Sequence, residues 1–318
     1  MKKYLFILAI LLGACNNKVS KKDDAPSQPE QNSVSLYILG TVQDGGSPHI
    51  GCQKSCCSEL FNKPDHTRKV VSLGVVDHKT DKSYLFEATP DMPSQLKLLK
   101  EHTQNSKETP DGIFMTHAHI GHYAGLMYLG RESLGGKNIP VYAMPQMKMF
   151  LETNGPWEQL VKLNNIDILP IQDEIKFQLT PNLVVIPFVV PHRDEYSETV
   201  GYKIIGPNKS ALFIPDIDKW SKWDKDIVKE IQHVDFAFLD ATFFDGPEIN
   251  TRNIAEIPHP FVSESMELFQ NLPQSEKSKV HFIHFNHTNS LLNQNSESYK
   301  EVLEAGFNVS AFNQRFDL

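Results

Sequence analysis

Apolar residues in this chain come in short runs separated by longer polar, turn-rich stretches. A run of about four to eight such residues, bounded by Gly, Pro, Asn or Asp, reads as a strand. The pattern predicts strands at 34–40, 70–76, 83–87, 113–116, 139–143, 183–190, 199–205, 211–216 and 236–240. The 70–76 and 83–87 runs pair as a hairpin. Helical stretches cover 92–100 and 144–153, and a helix starting near Tyr123 continues through 125–129. After the first strand comes Gln43-Asp-Gly-Gly-Ser-Pro48, a loop of turn-forming residues. Residues 16–33 carry almost nothing apolar, so they cannot bury a core and read as a flexible tether. The folded domain is 34–318.

Reactive residues gather at the strand ends. Strand 113–116 leads into Thr116-His-Ala-His-Ile-Gly-His122. In extended backbone alternate side chains share a side, so His117 and His119 project together and His122 can swing back to the same point. Three converging neutral imidazoles suit zinc, at about 2.0–2.1 Å per Zn–N bond. Strand 183–190 stops at Pro191-His192, while 211–216 and 236–240 each end in an aspartate, Asp216 and Asp240. Two carboxylates beside a histidine cluster suggest a second metal position, with Asp218 the nearest competitor of Asp216. The segment after Val280 adds His281, His284 and His287. Asp91, ahead of the 92–100 helix, is an N-cap or an acceptor orienting a metal-bound histidine.

Cys52, Cys56 and Cys57 share one loop. Adjacent cysteines make a strained disulfide, and three thiols cannot all pair. Two readings stand: a Cys52–Cys56 disulfide in an oxidising compartment, or a structural zinc on two or three thiols and a distant histidine.

A net charge of −8 with no basic stripe excludes a nucleic-acid-binding surface, leaving a small-molecule substrate as the expected partner. Residues 1–15 read as a signal peptide: Lys2-Lys3, then an apolar stretch too short to span a bilayer. Leu12-Gly-Ala-Cys15 resembles a bacterial lipobox, which implies a lipid on Cys15 and attachment to the cell envelope. Asn16 favours the outer membrane; a plain secretory signal is the alternative. Lys21-Lys-Asp-Asp24 is a surface-export signal or part of a solvated tether. No later apolar run reaches the roughly 18 residues of a membrane span.

Thr116-His-Ala-His-Ile-Gly-His122 resembles the THxHxDH signature of the metallo-β-lactamase fold superfamily, with Gly121 in place of the aspartate. Three further segments resemble its PqqB (PQQ-biosynthesis protein B) branch and the related phosphoribosyl cyclic phosphodiesterase of phosphonate metabolism. Glu87-Ala-Thr-Pro-Asp-Met92 is similar to N-A-S-P-D, Leu239-Asp-Ala-Thr-Phe-Phe-Asp245 to V-D-G-T-F-W-D, and the run from His281 to Leu292 to I-H-I-N-N-T-N-P-I-L. The resemblance spans about 34–318 and implies an α/β fold, the αββα sandwich, with metals at the sheet edge. It implies His117, His119 and His192 on a first metal, and His122 and His284 on a second, with Asp216 bridging. It also implies a structural zinc on Cys52, Cys57 and His287, with Cys56 as the third thiol. Asp240 would orient ligands and His259 would donate a proton.

The resemblance implies a metal-dependent hydrolase, holding zinc, manganese or iron, that directs a metal-bound hydroxide at a phosphodiester or cyclic phosphate. The rivals are a PqqB-like oxygenase related to pyrroloquinoline quinone biosynthesis, and a non-catalytic binding lipoprotein with a vestigial site. The complete first triad favours the hydrolase. Gly121 removes a carboxylate from the second metal, which is therefore expected to bind weakly. Aspartate at 121 should strengthen it if the backbone there accepts a side chain, unless Asp218 or a water held by Asp240 already serves.

Overall fold

Most strands read as continuous apolar runs because both faces of each sheet are covered. In the computed structural model, which describes residues 34–249 and 256–318, all seven residues of the first strand are buried. Cys15, with the signal and tether expected at 1–33, lies outside the described residues. The first six strands are β1 (Val34–Gly40), β2 (Ser72–Asp77), β3 (Lys82–Phe86), β4 (Gly112–Phe114), β5 (Ile139–Ala143) and β6 (Ile166–Pro170). Next come β7 (Phe177–Thr180), β8 (Leu183–Val189), β9 (Val200–Ile205), β10 (Ser210–Ile214) and β11 (Phe236–Asp240). The last are β12 (Val280–Ile283), β13 (Asn308–Val309) and β14 (Arg315–Asp317). They form two seven-stranded sheets, ordered β14-β1-β2-β3-β4-β5-β6 and β13-β12-β11-β10-β9-β8-β7.

Between the sheets Leu36, Val75, Phe86 and Phe114 pack against Val185, Tyr202, Phe213 and Phe238. Helices Met92–Glu101 and Pro145–Thr153 cover the outside of the first sheet through Met92, Leu99, Met147 and Leu151. Helices Ile227–Gln232, Val262–Phe269 and Glu297–Glu304 cover the second through Ile231, Val262, Phe269 and Val302. The order of layers is α, β, β, α. Among the described residues no helix is long and apolar enough to cross a membrane.

Strands β3 to β6 are parallel, and so are β10 to β13. Parallel strands bring their carboxyl ends to one edge, where ligands of open α/β sheets bind. Glu87 follows β3 and His117 lies just past β4; Asp216 follows β10, Asp240 ends β11 and His284 follows β12.

Two expectations fail here. The helix expected to start near Tyr123 is instead one short α-helical turn ending there, Ile120–Tyr123, followed by a 3-10 segment, Ala124–Leu129. Gly125 is drawn against the β3 end: its N–H donates to the Ala88 carbonyl, and a Cβ there would fall 2.1 Å from the Thr89 oxygen. Asp91 neither caps its helix nor meets a histidine; its carboxylate accepts from the Val70 N–H at 2.9 Å and from Lys69 Nζ at 3.3 Å.

Tyr202 of β9 joins the sheets beside the histidine segment. Its ring meets Phe86 and Phe114 edge-on, with centroids 5.3 and 5.5 Å away, and its hydroxyl donates to the Met115 carbonyl. Tyr202→Phe keeps the packing and strands that buried acceptor. Urea denaturation should show a loss of about 1–3 kcal/mol with an unchanged m-value.

Candidate metal centre

Asp216 sits at the middle of the site. His117 Nε2 lies 3.3 Å from Oδ2, His122 Nε2 3.8 Å and His119 Nδ1 3.9 Å. Against Oδ1 stand His259 Nδ1 at 3.1 Å and His192 Nε2 at 3.2 Å. His117, His119, His192 and Asp216 each offer one donor atom, and the four lie within 4.8 Å of one another. This geometry converges from both sheets, through the ends of β4, β8 and β10.

The far nitrogen of most of these rings is held by an outward partner. His117 Nδ1 meets the Thr116 hydroxyl at 2.9 Å, and His119 Nε2 meets Glu195 at 3.2 Å. His122 Nδ1 lies 3.3 Å from the wholly buried Glu87, close enough for an ion pair but without hydrogen-bond alignment. The Thr242 hydroxyl gives its one proton to Asp240 Oδ1 at 2.6 Å, so it can only accept from His284 Nδ1 at 2.8 Å. Where the outward nitrogen carries the proton, the inward one keeps a lone pair, the arrangement that fixes a metal-binding tautomer. His117 Nε2 and His119 Nδ1 face each other at 2.8 Å. His122 Nε2, both nitrogens of His192, His284 Nε2 and Asp216 Oδ1 are buried without a hydrogen-bond partner. Unpartnered buried polar atoms are costly, and a cation among these lone pairs removes that cost. The residues fit a divalent metal.

A second quartet, Asp216, Asp240, His259 and His284, also places its donors within 4.8 Å. Asp240 is already engaged by the Thr242 N–H and hydroxyl, the Ile217 N–H and His259 Nδ1 at 2.9 Å, so it positions other groups. Burial opposes a charge on His259, but Asp240 and Asp216 outweigh it and raise its pKa to about 10. Burial also opposes a charge on His122, yet Glu87, Asp216 and Asp44 raise its pKa to about 9. His117 goes the other way, held well below the usual histidine range by burial and by His122. Asp216 is pulled down against its burial by His259 and His192.

Three sequence expectations fare differently. Asp218 is no competitor: its carboxylate takes the Lys219 N–H and Lys222 Nζ. His281 is buried against Phe236, Phe238 and Phe316, away from the cluster. Gly121 has no room for aspartate, since a Cβ there would fall 1.9 Å from Asp44 Cβ. Glu87 and Thr242 went unassigned in the sequence, although both stand inside segments of recognisable pattern. Glu87 and His284 also share left-handed backbone, with φ of 79° and 70°. Such strain in non-glycine residues concentrates at functional sites.

The Cys52 and Cys57 thiols and a His287 nitrogen lie within 4.8 Å of one another, apart from the histidine cluster. Cys56 Sγ is 3.8 Å from Cys52 Sγ and 3.9 Å from Cys57 Sγ but is not part of that trio. All three thiols are free. Burial, then Cys52 and Cys57, push the Cys56 thiol up to about 12. Burial, then His49 and Lys54, bring His287 down to about 4, leaving a neutral imidazole able to bind metal.

The sandwich and this donor set define a member of the β-lactamase superfamily, and the chain belongs to it: the β-lactamase superfamily domain matches residues 82–285. It is similar to the coenzyme PQQ synthesis protein B of Methylococcus capsulatus (strain Bath), 24% identical over 304 residues, covering 86% of this chain and 97% of the relative. The same protein of Acinetobacter baumannii (strain ACICU) is 24% identical over 311 residues, covering 89% and 99%. Among solved structures, zinc-bound PqqB from Methylobacterium extorquens superposes with a TM-score of 0.74 at 21% identity, covering 89% of this chain and all of that one. A diphosphatase of the PhnP family gives 0.63 at 21% identity, covering 90% and 97%. At these identities the structural likeness concerns the fold.

Thr242→Val keeps the shape and removes the hydroxyl that fixes Asp240 and His284. Competitive zinc titration should show affinity lowered about 10–100-fold with the circular dichroism spectrum unchanged. An affinity equal to that of the unmodified protein would dismiss the Thr242 hub.

Proposed function

We propose that this protein is a metal-dependent hydrolase acting on a phosphodiester or cyclic phosphate. The observation that carries it is the inward convergence of donor atoms from His117, His119, His192 and Asp216, of which His192 Nε2 and Asp216 Oδ1 have no hydrogen-bond partner. His122 and His284, with ring centroids 5.4 Å apart, offer ligands for a second position that would share Asp216 with the first. Zinc is supported by the donor set and by the zinc-bound PqqB of the same fold. A phosphorus ester is supported by the fold shared with the PhnP-family diphosphatase.

A divalent ion held by His117, His119, His192 and Asp216 would supply Lewis-acid activation of water and of the ester. The chain's own residues do the rest. Asp216 keeps the two positions adjacent. Asp240 holds His259 by Nδ1, the charge of Asp216 nearby favours the imidazolium, and Nε2–H is left to protonate the leaving oxygen. Cys52, Cys57 and His287 would hold a separate structural zinc.

Loaded with zinc or manganese, the purified protein should hydrolyse bis(p-nitrophenyl) phosphate. His117→Ala should lower the rate about 10³-fold or more, since metal activation supplies several kcal/mol. No turnover of any phosphodiester, with oxygen uptake after iron loading, would select the PqqB-like oxygenase instead. For the structural position, His287→Ala should lower both the melting temperature and the zinc content, because such binding contributes folding free energy directly. Unchanged zinc content in that variant would remove the assignment.

A further inference from the structure

We infer that Asp44, carried on the loop after β1, is the carboxylate ligand of the second metal position, standing in for the side chain that Gly121 lacks. The inference rests on the metal-centre reading above and extends it to a residue outside the histidine motif.

Position comes first. A Cβ built on Gly121 would lie 1.9 Å from Asp44 Cβ and 2.3 Å from Asp44 Cα. The side chain of Asp44 therefore starts almost where a side chain of residue 121 would start, one residue from His122. Two side chains cannot share that point, so the glycine and the aspartate require each other. Gly121 has no left-handed φ, so its backbone does not demand glycine; the approach of Asp44 does.

Chemistry comes second. Asp44 Oδ1 is buried and has no hydrogen-bond partner. A space-filling loop residue would turn its carboxylate to water or to a backbone N–H. This one instead starts beside Gly121, next in the chain to His122, the histidine that faces Asp216 from the second position. A buried carboxylate oxygen beside an imidazole lone pair wants a cation, and carboxylates are the ligands that partly neutralise a divalent ion.

The loop is also built to hold Asp44 in place. Gln43 N–H donates to the Phe285 carbonyl at 2.8 Å, directly after His284. Gln43 Oε1 accepts from the Gly45 N–H at 3.0 Å, and Val42 bridges Val70 and Phe285. The residues before Asp44 are thus tied to the segment that delivers His284, and Gly45 after it is tied back to Gln43. The second position then has His122, His284, Asp216 and Asp44, and the weak binding expected from Gly121 alone does not follow.

The test is zinc titration of the metal-stripped protein against a chromogenic chelator, together with thermal unfolding, on four variants. Asp44→Asn should weaken the second active-site ion at least about tenfold and leave the first unchanged. Gly121→Asp alone should lower the melting temperature and gain no affinity, because it collides with Asp44. The swap Asp44→Gly/Gly121→Asp should recover both stability and the second ion, as a reciprocal pair must. His117→Ala, the fourth variant, reports on the first ion. If the first ion binds and Asp44→Asn titrates like the unmodified protein, the Asp44 assignment is overturned while the metal centre stands. Tighter binding in Gly121→Asp with Asp44 retained would overturn it as well. If no active-site ion is seen and His117→Ala changes nothing, the metal-centre reading fails and this inference falls with it.

Discussion

A buried carboxylate ringed by five imidazoles is the constraint around which this protein is built. Asp216 has a ring nitrogen of His117, His119, His122, His192 or His259 on every side, all within 4 Å. An ionised carboxylate removed from water is tolerable only when charge or hydrogen bonds replace its hydration. His259 supplies part of that, being pinned as an imidazolium between Asp216 and Asp240. Burial opposes a charge on His122, but Glu87 and Asp216 favour one there too, whereas His117, held low by burial and by His122, brings a lone pair. Lone pairs do not stabilise an anion. His192, His284 Nε2 and Asp216 Oδ1 are still left without partners, and a divalent ion would satisfy such nitrogens and the carboxylate together.

The sandwich supplies the rigidity such a cluster needs. Its donors come from the ends of β4, β8, β10, β11 and β12, anchored in an apolar layer where Phe86, Phe114, Phe213 and Tyr202 are fully buried. Side chains that would repel one another in solution are held together because each strand is fixed by its neighbours. The unfavourable terms are local: left-handed backbone at Glu87 and His284, and buried atoms without partners. Strain of this kind persists only where the surroundings over-determine it.

Much of this was legible in the sequence, and the failures share a cause. The apolar runs gave β1, β5, β8, β9 and β11 nearly to the residue, because a strand covered on both faces leaves a continuous signal. His117, His119, His192, Asp216 and His284 stood at strand ends, where period-two geometry makes convergence foreseeable. Strands β6 and β7 and the helix Val262–Phe269 were missed, since β6 and β7 show mixed polarity and the helix begins beside a Pro-rich stretch. Glu87 and Thr242 escaped because their roles are to hold histidines far away in the chain, and no local pattern encodes a partner of that kind. Asp91 misled for the converse reason: its position looks like a cap, but Lys69 and the Val70 N–H claim it from another strand.

Asp44 shows where reading by motif stops. Within the histidine motif Gly121 looks like a lost ligand, and the sequence offers no link between it and a loop 77 residues earlier. In space the two are one feature, joined at less than a bond-and-a-half's separation of their side-chain origins. The loop that carries Asp44 continues to Cys52 and Cys57, which meet His287, three residues beyond His284. His49, midway along it, stacks on the His287 ring with centroids 4.4 Å apart. One chain segment therefore touches both proposed metal positions, and its partner segment, from His284 to His287, does the same. A structural ion at the thiols would clamp these two segments together at one end and so set the distance between Asp44 and His284 at the other. On that geometry the thiol site has a reason to exist beyond stability: it fixes a ligand that the histidine motif does not supply.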